Sequence, residues 1–96
     1  MKLVMMLYTG STPQRVADVL DLHDANAFTE IGRVHGRGLT GRVEGTRAWP
    51  GESSVLFSVV PDELVAKLEG ALRALANGAA PGERLHVVVL PVEHFF

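Results

Sequence analysis

The apolar positions of this chain change period several times, and each change marks an element. Lys2 to Tyr8 is a nearly unbroken apolar run, a length and pattern that predict a strand covered on both faces. Gly10 ends it. Ser11-Thr12-Pro13-Gln14 then reads as a helix start: Ser11 or Thr12 can cap, Pro13 suits the first helical position, and Gln14 stands three residues after Ser11 as in a capping box. Val16, Val19, Leu20 and His23 follow at spacings of three and four, with Ala17 beside them, and predict one buried helical face. Asp24-Ala25-Asn26 closes that helix. A weakly alternating segment from Ala27 to His35 predicts the second strand, and Val55 to Val60 the third. Pro61-Asp62-Glu63 opens a second helix with acids at its positive end. Leu64, Val65, Leu68, Ala71, Leu72 and Leu75 form its apolar stripe, and Asn77-Gly78 predicts a left-handed cap. Leu85 to Leu90 is the last strand, stopped by Pro91, and a short tail ends in His94-Phe95-Phe96.

Between the second and third strands the pattern is lost. Gly36, Gly38, Gly41, Gly45 and Gly51, with Pro50, predict a long loop over 36–54 without a regular element. Loops of that length inside a small domain usually carry function. Arg42, Arg47 and Trp49 are its candidate partner-binding residues. Trp49 reads either as a recognition tip or as an anchor holding the loop to the protein's own surface.

Strand-helix-strand, twice over, predicts a single α+β domain spanning 1–96. The arrangement is ferredoxin-like βαββαβ: a four-stranded antiparallel sheet with both helices on one face. The uncovered face of such a sheet should be polar. Here it cannot be. Leu3, Met5 and Leu7 alternate with Val4, Met6 and Tyr8; Val55, Phe57 and Val59 alternate with Leu56, Ser58 and Val60; Leu85, Val87 and Val89 alternate with His86, Val88 and Leu90. Whichever set meets the helices, a second apolar set is left over, each member worth about 1.5–3 kcal/mol on full burial. Apolar faces of that extent mark interfaces, so the chain is expected to assemble with copies of itself, the tail aromatics docking on a neighbour.

Composition narrows the chemistry. A net charge of −2 argues against nucleic-acid binding through a bulk positive field. No cysteine is present, so disulfides and thiolate metal sites are excluded. The first apolar run is too short for a secretion signal, and no stretch approaches the ~18 apolar residues of a membrane span; the expected location is the cytoplasm. Enzyme chemistry has little support. Ser53 and Ser54 lack a nucleophile-elbow context, no phosphate-binding loop motif occurs, and no G-x-G-x-x-G opens a predicted helix as a dinucleotide fingerprint requires. Four histidines, His23, His35, His86 and His94, show no HxH or HxxxH spacing. A divalent-metal site built from His35, His86 or His94 of neighbouring subunits, as in CutA-like relatives of this fold, is the alternative reading.

Three groups of residues, in order along the chain, resemble the PII signalling family, whose members are trimers of this fold. The first is Thr29-Glu30, then Val34, then Gly36-Arg37-Gly38, where that family leaves its second strand for its T-loop. The second is Val59-Val60-Pro61-Asp62-Glu63-Leu64-Val65, at its junction into the second helix. The third is Gly82 and Arg84 before Leu85, with Val89-Leu90-Pro91-Val92-Glu93 following. The resemblance implies a homotrimeric regulator that binds ATP, ADP, AMP or another small anionic effector between subunits. Thr29, Gly36, Arg37, Gly38, Gly82 and Arg84 would hold it, since glycines let backbone N–H groups approach an anion and arginine matches phosphate geometry. It also implies regulation of an enzyme or membrane transporter through the 36–54 loop. Departures from the family are specific. The glutamine that serves Mg and 2-oxoglutarate has no counterpart, Gln14 being the only glutamine. The only tyrosine is Tyr8, in the first strand. Sensing of 2-oxoglutarate and uridylylation are therefore not expected.

Overall fold

The structure is a computed structural model and describes residues 1–38, 41–43 and 52–96. Its elements are β1 (Lys2–Gly10), α1 (Gln14–Leu22), β2 (Thr29–Val34), β3 (Gly36–Gly38), β4 (Gly41–Val43), β5 (Glu52–Val60), α2 (Asp62–Asn77) and β6 (Arg84–Pro91). The main sheet has four strands in the order β2-β5-β1-β6, every neighbouring pair antiparallel. That is the ferredoxin-like arrangement expected.

The alternation of β1 decides which face meets the helices. Val4, Met6 and Tyr8 are at most 2% exposed. They pack with Leu56 and Val60 of β5, Val16, Ala17 and Leu20 of α1, and Leu68 and Leu72 of α2 into one core. Leu64, Val65, Leu75, Leu85, Val87 and Val89 border it. Ser58 shares the buried face because its hydroxyl donates to the Ala27 carbonyl at 2.7 Å, which fastens the approach to β2 onto β5. A buried hydroxyl with such a partner avoids the desolvation penalty of an unpaired one.

The opposite face is open and apolar. Pairing registers line up its side chains in rows: Val59, Leu3 and Leu90; then Thr29, Phe57, Met5 and Val88; then Ile31, Val55, Leu7 and His86. Leu7, Ile31, Val88 and Leu90 are 37–49% exposed. Phe95 and Phe96 of the tail are also exposed.

Several local expectations need correction. No capping box forms at α1. Pro13 itself is the N-cap and no side chain caps the helix; Ser11 and Thr12 lie hydroxyl to hydroxyl at 3.4 Å, and Gln14 donates forward to Asp18 at 2.9 Å. The Thr12 amide instead donates to the Tyr8 hydroxyl at 3.1 Å, so a long-range partner replaces the local one. The left-handed residue after α1 is Asp24, at φ 63. At the end of α2, Gly78 is right-handed, with φ −92, and its amide donates to the Ala74 carbonyl. The 36–54 segment is not irregular throughout: β3 and β4 form a two-stranded ladder, and β5 begins at Glu52 rather than Val55. Glycines at Gly36, Gly38 and Gly41 hide a strand from pattern reading because they contribute no side-chain alternation.

Candidate functional site

One end of the sheet collects most of the candidate residues. Val34 of β2, Ser53 of β5, Thr9 of β1 and Arg84 of β6 form a single row across all four strands. The Thr9 and Ser53 hydroxyls are hydrogen-bonded at 3.1 Å. Gly36 to Gly38 continue from the β2 edge of this row, and Gly82 precedes its β6 edge. Between Val34 and Gly32 the register slips by one residue, with Arg33 at φ 58. This bulge turns the chain out of the main sheet into β3.

The two groups thus sit at the same end but on opposite edges. Three inter-strand spacings separate them, roughly 14 Å. Thr29 lies apart from both: its row is that of Phe57, Met5 and Val88, roughly 14 Å from Val34 along β2. In the β3–β4 ladder Arg37 stands opposite Arg42, Gly36 opposite Val43 and Gly38 opposite Gly41. Arg47 and Trp49 lie outside the described residues. The three histidines of the metal reading are distributed: His35 joins β2 to β3, His86 is on β6, and His94 is in the tail. No cluster of three metal-ligating side chains occurs among the described residues of one chain.

The turn from 80 to 84 is the best-defined part. Gly82 has φ 89, a left-handed conformation that favours glycine. The Glu83 amide donates to the Ala80 carbonyl at 2.9 Å, and the Gly82 amide has no acceptor among the described residues. The Arg84 guanidinium is exposed and makes no ion pair among them. One free N–H and one free cation at a strand start are suitable donors for an anionic oxygen.

Glu83, which pattern reading passed over, is the centre of this turn. Its Oε1 accepts from the Ala80 amide at 3.1 Å and faces Arg15 Nη1 at 2.7 Å. Its Oε2 accepts from the Tyr8 hydroxyl at 2.5 Å. The hydrogen bond from Tyr8, then the Ala80 amide and Arg15, hold the Glu83 carboxyl below its ordinary range despite burial. Burial, followed by the bond to Glu83, pushes the Tyr8 phenol up. Close approach is required at Gly10, where a Cβ would lie 2.5 Å from the Tyr8 hydroxyl and 2.8 Å from its ring.

Fold and site together define a ferredoxin-like domain with an open apolar sheet face and, among the described residues, unpartnered hydrogen-bond donors at one end. No protein-family model and no curated protein matches the sequence. Among solved structures the fold is that of PII-like proteins. The structure of CPII, a nitrogen regulatory PII-like protein from Thiomonas intermedia K12 bound to ADP, AMP and bicarbonate, is 19% identical with a TM-score of 0.65, over 98% of this chain and 91% of that one. A 2.3 Å structure of the same protein with those ligands is 21% identical with a TM-score of 0.67, over 95% and 92%. Its apo form is 16% identical with a TM-score of 0.59, over 96% and 92%. The fold resemblance read from Gly36-Arg37-Gly38, Val60-Pro61-Asp62 and Gly82 to Arg84 therefore holds across nearly the whole chain.

Proposed function

We propose that this chain is a PII-like regulator that assembles as a homotrimer and binds an adenine nucleotide, with or without a small anion such as bicarbonate, between subunits. The observation that carries the proposal is the split of the donor set. Gly36 to Gly38 and Gly82 to Arg84 flank one row of the sheet from opposite edges, so two chains meeting edge to edge would bring the halves together. The open apolar face supplies a separate drive to assemble: subunits that turn these faces toward a common axis would bury Leu3, Met5, Leu7, Phe57, Val88 and Leu90 while their sheet edges meet. The CPII structures of like fold hold ADP, AMP and bicarbonate, which names the ligands to try.

In this reading Gly82 N–H and Arg84 of one subunit meet the phosphates, while the Gly36–Gly38 segment of the next approaches through its backbone. Thr29 faces the cleft farther along β2. The 36–54 segment, with Arg42, Arg47 and Trp49, then presents the liganded state to an enzyme or transporter. The role is regulatory rather than enzymatic. Among the described residues no helix is long and apolar enough to cross a membrane, and the proposed place of action is the cytoplasm.

Titration calorimetry with ADP, AMP, ATP and bicarbonate, singly and in pairs, tests the reading. Heat of binding with a stoichiometry of one nucleotide per chain supports it; silence from all nucleotides at millimolar concentration rejects it. Arg84→Ala provides the site control.

A further inference from the structure

Glu83 has more partners than any neighbour in its turn, and those partners come from three elements. Tyr8 reaches it from the end of β1, Arg15 from the first turn of α1, and Ala80 from the turn itself. Glu83 is flanked by Gly82 and Arg84, the two donors assigned above to the ligand. Its side chain points away from them toward α1, where its exposure is only 11%. A carboxylate one residue from an anion site would by itself repel the ligand; Arg15, at 2.7 Å, offsets that charge. The arrangement fixes the chain on both sides of Gly82 while leaving the Gly82 amide and the Arg84 guanidinium without protein partners among the described residues.

We propose that Glu83 is a positioning residue: together with Tyr8 and Arg15 it holds the 80–84 turn in its ligand-ready shape before the ligand arrives. The proposal rests on the nucleotide-binding reading above. Its physical content is preorganisation. Ordering even one or two backbone residues on binding lowers affinity about tenfold or more, and the Glu83 contacts remove that requirement. Glutamine at 83 can still accept the Ala80 amide on its carbonyl oxygen and turn its NH2 as a donor to the Tyr8 hydroxyl oxygen, so it keeps the bond within the turn while removing the charge; alanine preserves neither.

The test is ADP titration by calorimetry on wild type, Glu83→Ala, Glu83→Gln and Leu68→Val, each assayed where it is fully folded, with amide exchange of Ala80 and Gly82 measured on the ligand-free proteins. Leu68 lies in the core on α2 and controls for loss of stability alone. Expected results are an ADP Kd raised about tenfold in Glu83→Ala through a less favourable entropy. Glu83→Gln should bind within about threefold of wild type, and Leu68→Val should match wild type. Exchange at the turn should quicken in Glu83→Ala only. ADP binding by wild type with an unchanged or lower Kd in Glu83→Ala overturns the role of Glu83. An equal loss in Leu68→Val overturns it as well. No ADP binding by wild type instead overturns the nucleotide reading on which the role rests.

Discussion

Tyr8→Phe isolates the hydrogen bonding at the end of β1 from the packing around it. The ring is 2% exposed and among the largest fully buried side chains, and phenylalanine keeps that volume. Two hydrogen bonds are lost. One is donated to the Glu83 carboxylate, a charge-assisted bond worth about 1.5–3 kcal/mol; the other is accepted from the Thr12 amide at 3.1 Å, worth about 0.5–1.5 kcal/mol. Phenylalanine regains part of this by not having to bury a hydroxyl, and Glu83 keeps its contacts with Arg15 and Ala80. A net loss of about 2–3 kcal/mol remains. In a domain of this size that lowers Tm by about 10–20 °C. Urea unfolding at neutral pH measures it, and a double-mutant cycle with Glu83→Ala should give a coupling of about 1–2 kcal/mol. A Tyr8→Phe loss below about 0.5 kcal/mol, or strict additivity with Glu83→Ala, would refute the reasoning.

Other outcomes follow from the same contacts. Gly10→Ala forces a methyl to 2.5 Å from the Tyr8 hydroxyl and should destabilise by about 1–3 kcal/mol, read by thermal unfolding. The Glu83 carboxyl titrates below its ordinary value of 4.5 in the fold, so its contribution is present above that value and is lost as pH falls through the folded one. Stability should therefore drop more steeply on acidification in wild type than in Glu83→Ala. On the alkaline side the Tyr8 phenol is held above 10.0, so its contribution is kept below that pH and fades as pH rises through the raised value; Tyr8→Phe should flatten that limb. Met5→Lys places a cation in the centre of the open face, between Phe57 and Val88. It should leave circular dichroism unchanged while dissociating the assembly, because an unpaired buried charge costs several kcal/mol per subunit. Arg84→Ala should weaken ADP binding about tenfold or more.

The element order was legible because each element has a strong one-dimensional period. Val4, Met6 and Tyr8 alternate cleanly, and the α2 stripe that includes Leu68 and Leu72 runs at helical spacing, so the core was readable. The excess of apolar strand positions was equally plain. What stayed hidden depends on contacts between distant residues. The Thr12 amide is satisfied by Tyr8 rather than by a local cap, and no local rule anticipates it. Glu83 carries no signal in the sequence because its partners Tyr8 and Arg15 lie 75 and 68 residues away. The β3–β4 ladder escaped notice because glycine-rich strands have no side-chain period. Of the candidate site, Gly36 to Gly38, Gly82 and Arg84 fall at one end of the sheet. Thr29 does not join them within one chain, since it begins β2, whose other end leads to Gly36.

A site shared between subunits requires copies of this chain to meet through the bare side of the sheet. Sedimentation equilibrium at micromolar concentration measures that directly. It should return three times the 10.3 kDa of one chain, with Met5→Lys falling to a single-chain mass. A wild-type mass of 10.3 kDa under the same conditions would contradict it.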